Sequence, residues 1–417
     1  MGSIQWSCKN WDSGAFLRQA AAGARERHAV IYACAFLPDG GGGGQLLAAG
    51  YSSGAIRVFD CKLASELWLS SRQAVRPSLQ WHAHDGGVYG LSVAGEGASV
   101  VLLSVGDDGR LCGWSAAAVR AAAEAAAQRG AEAAEAPGRG GGGAAAGAAA
   151  AAAGEEGPAP LFEVAMPRTD PPFPIASSAH PAAQAVAVDA AGRGGGGGAV
   201  YVGASDGGLH VLDLSRLSGG GGGGGGGGVV ASLTGHAAAV LGLDCCAATG
   251  QVATASEDAT VRVWDARASR ACTSAIDACS GAALPPGSRP DALRCLRSPH
   301  ASCVRFDAAG GWLVAGGGNG SLTMWSLGLN ALAKQLDTGG CVPQALHMLP
   351  GEILMVGSDA RLHRFRFSLD SESSADLGCG PAFAVDAAPG GGAVAAGGAG
   401  GGALLSPYGT RLGRIAA

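Results

Sequence analysis

Short apolar segments alternate with turn residues along most of the chain, and the distance between turn and strand end repeats. In LLSVGDDGRLCGW (Leu102–Trp114) and ATASEDATVRVWDAR (Ala253–Arg267), an apolar run enters an Asp-containing turn and a second run ends on Trp. The Asp precedes the Trp by six residues in both, Asp108 to Trp114 and Asp258 to Trp264. Six residues is a tight turn plus the strand that follows it. The same step leads from Asp206 to Leu212, from Asn319 to Trp325 and from Asp359 to Phe365, and more weakly from Ser53 to Phe59 and from Gly400 to Ser406. An apolar strand precedes each of the seven turns: Leu46–Gly50, Val100–Val105, Val200–Gly203, Val252–Ala255, Trp312–Gly316, Ile353–Gly357 and Ala393–Gly397. The pattern predicts seven repeats of antiparallel strands.

Composition changes how much of the chain these repeats occupy. Of 417 residues, 74 are Gly and 87 are Ala, well over a third of the chain and far above ordinary usage. Seven units of about 42 residues need only about 295 residues, so the rest should be insertion. The largest insert spans about Ala116–Pro160; its first part, AAAVRAAAEAAAQRGAEAAEA, favours helix, and its Gly/Ala continuation cannot bury a core. Smaller inserts are Gly40–Gly44, Gly194–Gly198, the ten-Gly run Gly219–Gly228, and a loop over Cys279–Pro290. The expected organisation is an N-terminal segment, 1–28, followed by one repeat domain, 29–417, interrupted at 116–160 and 219–228.

The clearest unit, Gly235–Arg267, opens on Gly-His and closes on Trp-Asp. That is the signature of a WD40 blade, four antiparallel strands per repeat. The expected fold is therefore all-β, a seven-bladed WD40 β-propeller with low-complexity Gly/Ala inserts. Resemblance to WD40 blades implies a buried hydrogen-bond chain in each well-formed unit: His84, Ser104, Asp108 and Trp114 in the second blade, His236, Thr254, Asp258 and Trp264 in the fourth. A buried carboxylate and imidazole must be paired, and once paired they lock the sheet. The same residue types make a Ser-His-Asp hydrolase triad, but Ser104 lies mid-strand with no GxSxG elbow. The set also occurs in two blades, whereas an active site would be unique. No catalytic residue is assigned, and the chain reads as a non-enzyme.

Other chemistry is thin. GGGNGS (Gly316–Ser321) lacks the Lys and following helix of a phosphate loop. His82, His84 and Asp85 have only a weak metal-like spacing, so no metal or cofactor is expected. RLHRFRF (Arg361–Phe367) places cations on blade six, read as a solvated strand edge. With 28 basic and 33 acidic residues the net charge is −5, which lacks the footprint of an autonomous nucleic-acid binder. Twelve Cys without a CxxC pair fit buried reduced thiols. No signal-peptide region opens the chain and no apolar run is long enough to span a membrane, so no membrane association is expected.

The order of the more individual motifs resembles the THO complex subunit 6 family of WD40 proteins. The residues that carry this are LLAAGYSSGAIRVFD, AHDGGVYGL (Ala83–Leu91), LLSVGDDGRLCGW, LTGHAAAVLGL with ASEDATVRVWDAR, GWLVAGGGNGSLTMWSL (Gly311–Leu327) and the closing SPYGTRLGRIA (Ser406–Ala416). The resemblance spans all seven repeats and not the inserts. It implies a non-catalytic scaffold subunit of the nuclear THO/TREX assembly, which supports mRNA packaging and export. Its partners would be other THO/TREX subunits, with RNA contacted at most indirectly. The WDxR ending, Trp264-Asp265-Ala266-Arg267, resembles the box by which some WD40 proteins dock onto the DDB1 adaptor of cullin-4 ubiquitin ligases. In that alternative, a substrate receptor of the ligase, Asp258, Trp264, Asp265 and Arg267 would form the box; the other alternative is an unrelated WD40 scaffold. In blade seven, Ser406 and Pro407 stand in place of a Trp-Asp pair, which makes that blade the weakest candidate to close the ring.

Overall fold

A computed structural model describes residues 29–38, 45–95, 97–135, 157–169, 180–189, 198–217, 228–265, 270–288, 299–369 and 372–416. The N-terminal segment 1–28, residues 136–156 of the long insert and 219–227 of the poly-Gly run lie outside the described residues.

The strands form seven antiparallel sheets, each built from strands consecutive in sequence. Blade one is β1 (Ile31–Leu37), β2 (Leu46–Tyr51), β3 (Ala55–Asp60) and β4 (Leu79–His82); blade two is β5 (Val88–Ala94), β6 (Val101–Gly106), β7 (Arg110–Ser115) and β8 (Phe162–Ala165). Blade three is β9 (Ala183–Asp189), β10 (Ala199–Ala204), β11 (Leu209–Asp213) and β12 (Val229–Leu233). Blade four is β13 (Val240–Cys246), β14 (Gln251–Ser256), β15 (Thr260–Asp265), β16 (Ala271–Asp277) and a short fifth strand, β17 (Ala283–Leu284). Blade five is β18 (Ala301–Phe306), β19 (Trp312–Gly317), β20 (Ser321–Ser326) and β21 (Ala331–Asp337); blade six is β22 (Pro343–Leu349), β23 (Glu352–Gly357), β24 (Arg361–Arg366) and β25 (Glu372–Asp376). Blade seven is β26 (Ala382–Ala387), β27 (Val394–Gly398), β28 (Gly401–Leu405) and β29 (Arg411–Ile415). The fold is a seven-bladed β-propeller.

The first strand of each blade packs on the first strand of the next, and β26 packs on β1, so the inner strands close a ring. Small residues make this approach possible. A Cβ on Gly50 would stand 2.7 Å from Val88 Cγ1, one on Gly203 2.6 Å from Val240 Cγ1, and one on Gly397 2.5 Å from Ile31 Cγ2. Each glycine ends or nearly ends the second strand of one blade and faces the opening residue of the next. The closure between blades seven and one repeats the contact made inside the ring.

Closure has further ties. Val30 bridges Ala399, and Val75 bridges Ile415 in parallel. Phe36 N–H donates to Asp386 Oδ2 at 2.9 Å, and the Tyr51 hydroxyl donates to the Ala416 carbonyl at 2.8 Å. One apolar cluster unites Ile31, Phe36, Tyr51 and Phe59 of blade one with Ala384, Ala395, Leu404 and Ile415 of blade seven. A helix between β3 and β4, α1 (Cys61–Ser71), covers β29. Asp60 caps its start by accepting from the N–H groups of Lys62 and Leu63. Gly413 lets it lie close, since a Cβ there would meet Ala64 Cβ at 3.0 Å.

Three sequence expectations change. In blade seven, Gly398 pairs with Gly401 across a two-residue turn, one residue shorter than the Gly317–Ser321 turn of blade five. The six-residue step therefore overshoots: Leu405, not Ser406, occupies the buried position that Trp114 and Trp264 fill elsewhere. The Cys279–Pro290 loop contains β17, which pairs with β16. The cationic strand β24 is no edge; it pairs with β23 and β25, and Arg364 is neutralised by Glu352 at 2.5 Å.

Strand direction gives the ring two different faces. Inner strands begin, and the turns between second and third strands lie, at what we call the entry face. The connections from first to second and from third to fourth strand lie at the other. The strand ends that flank 39–44, 116–161, 190–198 and 214–228 all lie at this second face. The long insert starts as α2 (Ala116–Glu135), whose Ala116, Val119 and Ala123 pack beside Trp81 and Trp114. No helix among the described residues is long and apolar enough to cross a membrane.

Candidate functional site

Blades two and four carry the hydrogen-bond chains their residues suggest. In blade two, Trp114 Nε1 donates to Ser104 Oγ at 2.9 Å, Ser104 lies 2.8 Å from His84 Nε2, and His84 Nδ1 lies 2.9 Å from Asp108 Oδ1. A carboxylate only accepts, so His84 Nδ1 donates to Asp108. In blade four the distances are 2.9 Å from Trp264 Nε1 to Thr254 Oγ1, 2.7 Å from Thr254 to His236 Nε2, and 2.9 Å from His236 Nδ1 to Asp258 Oδ2. Asp258 also accepts from the N–H groups of Ala237 and Thr260 and from the Thr260 hydroxyl. Burial alone would raise its carboxyl, but His236 and these donors hold it far below the usual carboxylate range. All eight side chains are buried or, for Asp108, nearly so. A serine locked between an indole and an imidazole inside a sheet has no access to substrate, so the arrangement can brace a blade and cannot perform acyl transfer.

The other blades keep fragments. In blade five, Asn319 accepts from Ser321, and Ala315 stands where blades two and four have a hydroxyl. The Trp325 indole N–H there is buried with no partner. In blade four a residue the sequence did not single out, Arg262, is 1 % exposed and donates to the carbonyls of Pro286 (3.0 Å) and Ser288. It ties the segment after β17 to the blade. Neither feature is visible in a residue-spacing pattern, because each depends on which strands meet.

The axial channel presents the accessible chemistry. It encloses about 130 Å³ and is lined by the inner strands of all seven blades. Each inner strand bulges at its second residue: Tyr32, Tyr89, Gln184, Leu241, Ser302, Gln344 and Phe383. A bulge re-aims a side chain, and here all seven form the entry-face mouth. On the side of blades seven, one and two the mouth is aromatic. Tyr32 lies 5.2 Å from Tyr89 and 5.7 Å, edge to face, from Phe383. Burial, followed by the charge and hydrogen bond of Asp107, pushes the Tyr89 phenol up to about 12. Ring faces beside a carboxylate attract an organic cation such as an Arg or Lys side chain. Deeper in, Asp244 accepts from Phe306 N–H at 2.7 Å, Arg305 lies 4.0 Å from Asp244, and His347 lies 3.3 Å from Asp386. These charges pair across neighbouring blades and brace the ring.

The residues of the implied adaptor-docking box part company. Asp258 and Trp264 are buried in the blade-four chain, at 0 % and 2 % exposure. Asp265 ends β15 at the second face, and Arg267 lies outside the described residues. Burial raises the thiols of Cys34, Cys112, Cys245 and Cys303, the last to about 11. Such thiols stay protonated at neutral pH and are poor nucleophiles.

Comparison with known proteins agrees with this architecture. A family model of the WD domain, G-beta repeat, matches residues 227–265, from the last strand of blade three through the third strand of blade four, and residues 293–326, which take in the first three strands of blade five. THO complex subunit 6 of Arabidopsis thaliana is 26% identical over 332 residues, covering 79% of this chain and 74% of that protein. The chain is thus a seven-bladed propeller with WD40 repeats at 227–265 and 293–326, similar along most of its length to THO complex subunit 6.

Proposed function

We propose that this protein is a non-catalytic scaffold subunit of a nuclear THO/TREX-type assembly, supporting mRNA packaging and export through protein–protein contacts. The observation that carries this reading is the collinear similarity to THO complex subunit 6 over 79% of the chain. The fold fits it: a closed ring is rigid and binds by presenting a preformed surface, with little entropy to lose on docking. The entry face is the docking face in this reading. It carries the aromatic mouth of Tyr32, Tyr89 and Phe383 and the blade-bracing chains, and partners anchor through a few aromatic or Arg contacts. The second face is where the strands flanking the Gly/Ala inserts end. RNA is reached only through partner subunits, in keeping with a net charge of −5.

Purification of the tagged chain from its native nuclei tests this. Other THO subunits should co-purify in near-equal amounts; their absence from a soluble, folded preparation refutes the proposal. The alternative, docking on the DDB1 adaptor, rests on the sequence WDAR and would have to act through Asp265 and Arg267. An Arg267→Ala variant that loses DDB1 but keeps THO subunits would identify it as a separate activity.

A further inference from the structure

Blade six departs from blades two and four in a way that brings three metal-ligating groups together. It keeps the acid of the turn, Asp359, but has Met355 in place of the hydroxyl and Phe365 in place of the indole. The loop before its first strand supplies Cys341 where blades two and four supply His84 and His236. An imidazole enters instead from the third strand, His363, at the register position of Cys112 and Arg262. Cys341 Sγ lies 3.2 Å from Asp359 Oδ1, and His363 Nε2 lies 2.6 Å from Asp359 Oδ2. The three ligand atoms all fall within 4.8 Å of one another.

We propose that Cys341, Asp359 and His363 form a zinc-binding site at the entry face of blade six. A thiolate, an imidazole and a carboxylate are a zinc donor set, and three protein ligands leave a fourth position for water or a partner side chain. Tetrahedral coordination sets the ligand atoms about 3.2–3.6 Å apart. The Asp359–His363 pair must open by less than about 1 Å, while the thiol, already 3.2 Å from Asp359, needs only to approach His363 Nε2 from no more than 4.8 Å, movements within side-chain reach. Binding releases the thiol proton to solvent and leaves His363 neutral, its proton on Nδ1 and its Nε2 lone pair on the metal. Access and support are both present. The Asp359 side chain is 31% exposed while Cys341 and His363 are buried. The Arg361 N–H donates to Asp359 Oδ1 at 3.3 Å, and the Thr338 hydroxyl donates to the Cys341 carbonyl at 2.5 Å, which orients two of the ligands from outside. Among the described residues no other group of three His, Cys, Asp or Glu side chains brings its ligand atoms so close.

Titration of the metal-free full chain with Co²⁺ reads the site directly. One equivalent should produce a thiolate-to-cobalt charge-transfer band and the visible bands of a tetrahedral ion, and Zn²⁺ should bleach both. Cys341→Ser and His363→Asn should each weaken binding by more than about a hundredfold, and Cys379→Ser should leave it unchanged. Cys341→Ser keeps a donor to Asp359, so its unfolding midpoint without metal should match the wild type. Zn²⁺ should raise the midpoint of the wild type and of Cys379→Ser, and not that of Cys341→Ser. Absence of the charge-transfer band in the wild type, or its persistence in Cys341→Ser, overturns the proposal. Neither outcome bears on association with THO subunits.

Discussion

Replacing Asp258 with alanine isolates what the buried chain of blade four contributes. The carboxylate is fully buried and accepts from His236 Nδ1, the Thr260 hydroxyl, and the N–H groups of Ala237 and Thr260. Its loss strands four donors in a dry site. A stranded buried donor costs about 1–3 kcal/mol, and local relaxation keeps the sum for a broken buried network near about 3–5 kcal/mol. In a domain of this size that lowers the melting temperature by on the order of 10 °C. Asp359→Ala in blade six is the control: its carboxylate is part-exposed, water can replace it, and about 1 kcal/mol or less is expected. Calorimetry of both variants beside the wild type, in chelator, measures the difference. The pH dependence has a fixed sign. The folded pKa of Asp258 is depressed, so its contribution is fully present above the unfolded carboxylate value of about 3.9 and declines as pH falls toward the folded value. The gap between wild type and Asp258→Ala should therefore hold at neutral pH and narrow on acidification below about pH 4. A shift under about 2 °C, equality with Asp359→Ala, or a gap that widens in acid would refute the reasoning.

Three further outcomes follow from named contacts. Ala315→Ser places a hydroxyl beside the unpartnered Trp325 indole and should raise stability by about 0.5–1.5 kcal/mol by chemical denaturation; a loss of stability would show that the site has no room for it. Gly413→Val drives a side chain into Ala64 of α1 and should cost about 1–3 kcal/mol, with increased cleavage between β3 and β4 under limited proteolysis; an unchanged protein would mean that α1 does not hold β29. Arg262→Ala removes the tie to Pro286 and Ser288, so protease should cut within 279–298 well before the rest of the chain; simultaneous cleavage elsewhere would contradict a local effect.

The strands flanking each turn were legible because a tight turn plus a strand has nearly fixed length, so an acid and an aromatic recur six residues apart. The same rule slipped in blade seven, where Gly398 and Gly401 close a shorter turn. The chains of blades two and four were legible because their members follow a repeat-wide pattern. The channel mouth was not: Tyr32, Tyr89 and Phe383 are far apart in sequence and meet only when the ring closes. The zinc ligands were hidden for a related reason. Cys341 stands two residues before its blade's first strand where His84 and His236 stand four before theirs, and His363 comes from the third strand, so a search for the usual types at the usual positions passes over them. Burial of Arg262 was unreadable too, since its partners lie in a segment whose Pro and Gly content suggests only a loop.

The docking face is the centre of the functional account, and one comparison tests it. THO-subunit recovery is quantified for the wild type, for a variant with Tyr89→Ala and Phe383→Ala at the entry-face mouth, and for a variant in which the 219–228 glycine run is shortened, each checked for an unchanged melting temperature. The account predicts that the mouth variant loses the partner subunits while the shortened variant retains them. Full recovery with the mouth variant, or loss with the shortened glycine run, would contradict it.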